Sequence, residues 1–304
     1  MRWSWPVLAM WVALGCGSPD TIPDEVAAGP MSQPPDDFYP GLDVPFVPSP
    51  DPVIDAMLAL TDPRAGEHIM DLGCGDGRIV LEALSRVPGL TGVGVDIDPA
   101  RIREANTNAA LRGLAGRVRF LEQNIFDTEV RADVVTLYLL PEVNLALRPT
   151  LFSSLAPGSR VVSHDFDMED WRPDATAHIP RKRVFLWVIP ASLGGHWVVE
   201  RAPEAEPRLG AGTGLELMQG FQTLVGSDPA GDFYLRGRID GLEVDALIAP
   251  RTGPAKRLRA ILVDTAEGQH LEGLLDLEPF SARRLTAAEI HLRQVDPDLL
   301  PREH

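Results

Sequence analysis

Apolar residues follow two different patterns along this 304-residue chain. Between residues 42 and 201, short continuous apolar runs alternate with segments in which apolar residues recur every three or four positions. Such runs are typical of strands buried on both faces, and the segments between them are typical of amphipathic helices. Within residues 213–304 the apolar residues instead alternate one by one with polar residues, between Gly and Asp turns. We therefore predict an α/β domain with a parallel sheet, followed by a smaller C-terminal antiparallel β domain.

The α/β domain is expected to alternate strands with helices. After the second strand, Asp98 is the expected N-cap of a helix, because Pro99 suits the first helical position and Gly113 suits its end. Strands are predicted over residues 68–72, 90–96, 118–122, 134–139 and 159–163, and helices over 78–86, 99–112 and 141–155.

The end of the α/β domain is predicted from a glycine turn. Residues 183–189 and 196–200 are apolar and flank Gly194 and Gly195, which predicts a hairpin that closes the sheet. The domain would then span residues 42–201, with a linker rich in Pro, Glu, Ala and Gly over 202–212. The β domain beyond it shows no catalytic constellation, and His270 is interpreted as a surface residue of a strand.

A glycine-rich heptapeptide, DLGCGDG at residues 71–77, follows the first predicted strand, and the second strand ends on Asp96. Glycines let the backbone approach a ligand closely, and an acid at the end of the next strand can bind two ribose hydroxyls. These features predict a nucleotide-type site. Asp71 and Asp76 would repel a pyrophosphate but suit a cofactor that carries an ammonium and a sulfonium. A dinucleotide such as NAD is therefore the weaker alternative.

The heptapeptide resembles the first motif of the class I, seven-strand S-adenosylmethionine-dependent methyltransferases. The resemblance implies a Rossmann-like seven-strand sheet and S-adenosylmethionine as the cofactor. It also implies that Asp71, Gly73 and Gly75 line the methionine part of the cofactor and that Asp96 binds its ribose.

Two further segments narrow the resemblance. Residues 43–50 (DVPFVPSP) and 136–142 (TLYLLPE) are similar to one subgroup, which includes the ATP synthase c-subunit lysine methyltransferase and bacterial relatives. The resemblance covers roughly residues 42–200. Phe46 and Pro48, in the first segment, are candidates for a lid over the cofactor, or they only hold the N-terminal segment in place.

Other cofactor-binding candidates come from the rule that ligands bind beyond the carboxyl ends of the strands. Ile97 follows Asp96 at the end of the second strand. Asn124 follows the third strand, where the family pattern often has an Asp that binds the adenine amine, and Ile125 would then pack on the adenine ring. A turn-forming Asn and a core Ile are the alternatives.

Candidates for the catalytic, acceptor-binding side are Tyr138, Glu142 and Asp165. Tyr138 and Glu142 flank the Leu-Leu-Pro after the fourth strand, where class I enzymes hold the methyl acceptor. Asp165 belongs to a polar cluster with His164 and Asp167 after the fifth strand. An amine acceptor must lose a proton, which a carboxylate, a tyrosine or ordered water can take.

The leading hypothesis is an S-adenosylmethionine-dependent N-methyltransferase whose acceptor, by resemblance, is a protein lysine, with a small-molecule acceptor left open. The chain lacks the Asn-Pro-Pro-Tyr version of the acceptor motif, which argues against nucleobase amino groups and glutamine. The alternative is a non-catalytic, membrane-tethered binding module on the same fold.

Composition excludes some partners. The net charge of −16 argues against nucleic acid, since binding to a phosphate backbone needs clustered Lys and Arg. There are two cysteines, Cys16 and Cys74, and no zinc-ligand spacing, so no metal site is predicted. Cys74 is interpreted as a small residue in a tight turn.

The N-terminus predicts attachment to a bacterial cell envelope. Residues 1–16 combine one Arg, an apolar run and a terminal Gly-Cys, which resembles a lipoprotein signal with lipid on Cys16. An ordinary export signal and a cytoplasm-facing anchor are the alternatives. Residues 17–41 are rich in Pro and acids and are expected to form a disordered tether.

Overall fold

The structure, a computed structural model, describes residues 46–203 and 209–290. The expected signal segment with Cys16, the expected tether and residues 204–208 of the expected linker lie outside the described residues. Within the described ranges, none of the helices combines the length and the apolar character that crossing a bilayer requires.

The first part of the described chain folds into a seven-stranded mixed sheet with helices between its strands. The strand order is β3-β2-β1-β4-β5-β7-β6, with β7 antiparallel to β5 and β6. This confirms the predicted Rossmann-like α/β fold. The strands are β1 His68–Leu72, β2 Thr91–Asp96, β3 Val118–Glu122, β4 Val134–Leu137, β5 Arg160–His164, β6 Ala175–Ile179 and β7 Lys182–Val188. The helices are α1 Asp51–Thr61, α2 Arg78–Arg86, α3 Pro99–Leu111 and α4 Pro141–Ser154.

Burial on both faces explains the continuous apolar runs of the central strands. Ile69 of β1 packs into a core with α1, α2 and α3, whereas the next residue, Met70, packs into the core on the opposite face with α4. The same alternation holds in β4, where Val134 and Val135 enter different cores. A strand with a continuous apolar run can therefore pack against helices on both faces of the sheet.

Local capping sets the boundaries of α3 as predicted. The Asp98 carboxylate accepts a hydrogen bond of 2.7 Å from the backbone N–H of Ala100, and Pro99 is the first helical residue. Gly113 follows the helix with a φ of 67°. This capping begins α3 three residues after the end of β2.

The predicted hairpin around Gly194 and Gly195 is wrong. The strand that closes the sheet with β7 is β6, and their turn contains Arg181 at a φ of 63°. Residues of β6 are only partly buried or exposed, so no apolar run marks this strand. The strand Gly195–Arg201 instead joins a second sheet. The residues that were predicted to end the α/β domain therefore form the first strand of the second sheet.

The second sheet is a closed eight-stranded antiparallel barrel. Its strands alternate buried and exposed residues, as the C-terminal pattern predicted, and the buried side chains form one apolar core inside it. The strands are β8 Gly195–Arg201, β9 Gly214–Gly220, β10 Thr223–Ser227, β11 Phe233–Asp240, β12 Glu243–Pro250, β13 Lys256–Thr265, β14 Gly268–Leu275 and β15 Glu278–Arg284. The interpretation of His270 as a surface residue is wrong, because its side chain is buried beside Glu200.

The turn between β9 and β10 attaches the barrel to the sheet domain. The Phe221 ring lies 5.6 Å from the ring of Phe152 on α4 and 6.0 Å from that of Trp171, between centroids. The Arg148 guanidinium lies 5.2 Å from the Phe221 ring centroid. Gln222 adds a hydrogen bond of 2.7 Å from its side-chain amide to the carbonyl of Arg172. This aromatic contact is one attachment of the barrel to the sheet domain.

We expect Phe221→Ala to lower the free energy of unfolding by about 2–3 kcal/mol, since it removes a half-buried ring from three neighbours. Urea titration followed by tryptophan fluorescence measures this, because Trp171 lies in the contact. Leu277→Ala, at a side chain that is 88% exposed, is the control and should change stability by less than about 0.5 kcal/mol. Equal effects of the two substitutions would contradict the importance of this contact.

Candidate functional site

The glycine turn between β1 and α2 is tied to the end of β2. The backbone N–H groups of Gly73 and Cys74 both donate to the carbonyl of Val95, at 2.8 and 2.9 Å. The N–H of Gly75 donates to the Asp96 carboxylate at 2.8 Å. The predicted glycine turn and the predicted ribose-binding acid therefore form one hydrogen-bonded unit.

At two positions of this turn, both the backbone conformation and the neighbouring side chains require a glycine. Gly73 and Gly75 have φ values of 81° and 54°, a region that side chains rarely adopt. A Cβ on Gly73 would overlap Leu139, and a Cβ on Gly75 would overlap the ring of Phe46. The Arg101 guanidinium lies over that ring, 4.7 Å from its centroid. The structure thus places Phe46 directly on the turn, and its role as a lid stays a prediction.

Asp71 is a buried carboxyl group with an unused acceptor. Its side chain is 1% exposed, and the Thr136 hydroxyl donates to Oδ1 at 2.7 Å. Oδ2 has no hydrogen-bond partner within the described residues. Burial, together with the nearby charges of Asp96 and Asp76, raises the pKa of Asp71 to about 7. A buried acceptor of this kind, at the mouth of a glycine turn, fits a cationic ligand group such as an ammonium.

Asp96 is held with both oxygens in place. Oδ2 accepts from Gly75 as described, and Oδ1 accepts from the N–H of Asp98 at 2.9 Å. Each carboxylate oxygen can accept a further hydrogen bond, so the pair can receive two ribose hydroxyls. Ile97 is 69% exposed beside it, which leaves an apolar surface at the end of β2.

Asn124 and Ile125 both have structural roles. The Asn124 side-chain oxygen accepts from the N–H of Phe126 at 3.0 Å and caps the short 3-10 helix Ile125–Asp127. Ile125 is half-buried against the core on the α4 face of the sheet. Their assignment to the adenine therefore stays a prediction.

The other polar residues of the heptapeptide do not offer free groups. Burial alone would raise the pKa of Asp76, but hydrogen bonds and an ion pair with Arg78, at 2.7 Å, hold it below its usual range. The expectation that Asp76 suits a cationic cofactor is therefore weakened, since Arg78 already neutralises it. Burial raises the pKa of the Cys74 thiol, which agrees with a structural residue rather than a nucleophile.

The acceptor side centres on Tyr138, which stacks on His164 with ring centroids 3.7 Å apart. His164 is fully buried, and its Nδ1 lies 3.0 Å from the hydroxyl of Ser49. Burial lowers the pKa of His164 to about 4, so the ring is neutral. Ser49 precedes α1, so this contact fixes the N-terminal segment to the end of β5. No local pattern indicates this contact, because the two residues lie 115 positions apart.

Asp165 is an ion-paired carboxylate and not a free base. It accepts from the Lys182 ammonium at 2.5 Å and from the N–H of Arg183 at 2.9 Å. Burial would raise the pKa of Asp165, but these two donors hold it below its usual range. Lys182 also lies 5.7 Å from the centroid of the Tyr138 ring. Lys182 is thus a site residue that sequence reasoning missed.

Glu142 lies apart from this cluster. It occupies the exposed first turn of α4, where its charge is favourable for the helix. Within the described residues it makes no side-chain hydrogen bond or ion pair. The structure therefore brings Tyr138 and Asp165 together through His164 and Lys182, and leaves Glu142 outside.

The comparisons with known proteins agree with this geometry. The family model of the ANTKMT methyltransferase domain matches residues 71–175. The protein-lysine N-methyltransferase of Saccharolobus islandicus strain REY15A is 39% identical over 151 residues, which cover 48% of this chain and 94% of that protein. The chain belongs to this methyltransferase family. It is an S-adenosylmethionine-dependent methyltransferase.

Two further similarities accompany this match. The human lysine N-methyltransferase of the ATP synthase c-subunit is 29% identical over 132 residues, which cover 43% of this chain and 55% of the human protein. An RNA methyltransferase from Salinibacter ruber, solved with S-adenosyl-L-homocysteine, is 47% identical with a TM-score of 0.47 and covers 48% of this chain and 96% of its own. The methyltransferase thus spans about half of the human relative.

The residues present fit the cofactor of this family. Asp71 Oδ2 is buried and has no hydrogen-bond partner among the described residues, so it would hold the amino group, and the fixed carboxylate of Asp96 would hold the ribose. All the predicted cofactor-binding residues, and Tyr138, Glu142 and Asp165, lie within the matched segment. Their individual roles remain predictions.

The pKa of Asp71 predicts a pH dependence of cofactor binding. In the free protein Asp71 is protonated below about pH 7, so a ligand ammonium must displace that proton. Affinity for S-adenosylhomocysteine should therefore fall by up to about tenfold per pH unit below this value and level off above it. Isothermal titration calorimetry between about pH 5 and 8 measures the effect.

Two substitutions complete this test. Asp71→Asn should bind more weakly, with little pH dependence, because no proton is displaced. Asp264→Asn, at an exposed position of the barrel, is the matched control and should keep the wild-type pH profile. Wild-type affinity that does not change across this range would show that Asp71 does not face the ammonium.

Proposed function

We propose that this methyltransferase transfers a methyl group to the ε-amine of lysine in a protein acceptor. The observation that carries the proposal is the setting of the Lys182 ammonium, which lies on the Asp165 carboxylate and over the Tyr138 ring. An aromatic face beside a carboxylate is the chemistry that recognises a lysine ammonium. The names of the Saccharolobus and human relatives, both lysine N-methyltransferases, also support it.

The chain's own residues divide the work between two ends of the site. When bound, S-adenosylmethionine supplies an electrophilic methyl group on a sulfonium. Asp71 and Asp96 fix the position of that ligand, while Tyr138, stacked on the buried His164, provides a rigid wall for the acceptor. Methyl transfer is an in-line displacement, so alignment and exclusion of water are the main contributions that these side chains make.

The lysine ammonium of the acceptor must lose its proton before the methyl group is transferred. Asp165 is anionic but occupied by Lys182, so its direct role is to hold Lys182 and not to act as a base. The Nε2 atom of the neutral His164 is buried, lacks a hydrogen bond within the described residues and lies 3.6 Å from Asp165 Oδ2. We assign Tyr138 the positioning of the amine and expect the proton to leave through solvent.

Incubating the full chain with a bacterial envelope extract and methyl-labelled S-adenosylmethionine should place the label in methylated lysine. Amino-acid analysis after acid hydrolysis distinguishes methyllysine from methylarginine and from label in nucleic acid. Asp96→Ala should remove the signal, because both the ribose acceptor and the anchor of Gly75 are lost. Label in any other acceptor class would overturn the lysine assignment.

The Tyr138 ring can be tested apart from its hydroxyl. Tyr138→Phe keeps the stack on His164 and should change kcat/KM by less than about threefold, whereas Tyr138→Ala should lower it by about 10²-fold through misplacement of the acceptor. Steady-state kinetics with a labelled acceptor measures both. A Tyr138→Phe variant as impaired as Tyr138→Ala would instead assign the hydroxyl a direct role in proton removal.

A further inference from the structure

A groove of about 520 Å³ opens beside the acceptor end of the site, at the tip of the β6–β7 hairpin. Cationic side chains supply most of its polar lining. It is lined by Asp165, Phe166, His178, Ile179, Arg181, Lys182 and Arg183.

The charge of this groove is opposite to that of the protein. The chain carries a net charge of −16, yet the groove presents Arg181, Lys182 and Arg183 against one carboxylate. Lys182 already neutralises that carboxylate, Asp165. Neither Arg181 nor Arg183 has a side-chain ion pair within the described residues, so two guanidinium groups are free to bind a ligand.

The hairpin positions these guanidinium groups. Arg181 lies in the turn, where its φ of 63° sets the direction in which its exposed side chain leaves the backbone. Arg183 is paired in register with His178 across the hairpin, and its guanidinium lies 5.0 Å from the Phe185 ring centroid. Arg183 is thus supported by an aromatic face while its donors remain exposed.

The groove is continuous with the acceptor side of the site. Lys182 lines it and also lies over the Tyr138 ring, at 5.7 Å. Phe166 lines it too, and its ring centroid is 6.4 Å from that of Tyr138. A peptide whose target lysine reaches Tyr138 would therefore place neighbouring residues against the hairpin.

We propose that this groove binds an acidic side chain of the protein acceptor, close in sequence to the lysine that is methylated. The inference rests on the proposed function for the lysine and adds a determinant of specificity. Guanidinium groups bind carboxylates through paired hydrogen bonds, which makes Arg181 and Arg183 suited to a Glu or Asp. Because the protein as a whole repels acidic partners, the groove acts through contact and not through long-range attraction.

Binding of two fluorescent peptides to the full chain tests this proposal. Both peptides carry one central lysine; one has glutamates on either side, and the other has glutamines at the same positions. Fluorescence anisotropy, with S-adenosylhomocysteine present, should show that the glutamate peptide binds about five- to tenfold more tightly, and added salt should reduce the difference.

Matched double variants locate the preference. Arg181→Gln/Arg183→Gln should remove it, and in turnover assays should raise KM for the glutamate peptide several-fold with little change in kcat. Arg236→Gln/Arg251→Gln loses the same charge from exposed barrel positions and should keep the preference. Equal binding of both peptides to the wild type, or a preference that survives loss of Arg181 and Arg183, would overturn the proposal.

The same experiment separates the two proposals. A preference for glutamate without methyl transfer to lysine would leave the groove in place and reject the proposed function. Methyl transfer without any preference would support the proposed function and reject the groove.

Discussion

The register of β1 between β2 and β4 is the constraint on which the site depends. Asp71 is paired with Gly94 on one side and with Thr136 on the other. This pairing puts the Thr136 hydroxyl on the buried Asp71 carboxyl, and Tyr138 follows directly after the end of β4. A shift by one residue would turn each of these side chains to the opposite face of the sheet. The position of the cofactor end, and the point from which Tyr138 leaves the sheet, thus follow from one parallel pairing.

Opposite electrostatic environments then separate the two ends. At the cofactor end, Asp71 has no cationic partner among the described residues, and burial raises its pKa to about 7. At the acceptor end, Asp165 is paired with the Lys182 ammonium, and Arg181 and Arg183 line the same groove. The ammonium of the cofactor is therefore expected at Asp71, and an acidic side chain of the acceptor is expected near the hairpin. Opposite charges at the two ends can in this way direct two different ligands to different sites along one edge of the sheet.

Local signals allowed much of this fold to be predicted, and long-range contacts account for what was missed. The cap at Asp98 and the glycine turn depend on residues that are close in sequence, so spacing alone reveals them. Strand β6 carries no apolar run because the sheet edge leaves it partly exposed. Strand β8 has an apolar run, as β7 before it does, so the sequence alone does not separate the two strands. Its pairing with β9 and β15 assigns it to the barrel.

The same distinction holds within the site. Asp71 and Asp96 were identified because a strand, a turn and the next strand bring them together over 25 residues of chain. Lys182 and Ser49 were missed because their partners are distant in sequence. The closing hairpin brings Lys182 to Asp165, and the segment before α1 brings Ser49 to His164. The cofactor end is encoded locally, whereas the acceptor end is assembled from distant segments.

This assembly gives the barrel a physical connection to the acceptor end. The loop that leaves β5 carries Asp165 and Phe166 and then buries Met168 and Trp171 completely. Arg148 donates to the carbonyl of Met168 at 3.1 Å and also lies against Phe221 of the barrel, whose ring packs near Trp171. The barrel therefore supports the loop through Phe221 and Arg148. A loop held at both ends by packed aromatic rings keeps Asp165 and Phe166 in one position, which an acceptor site built from distant segments requires.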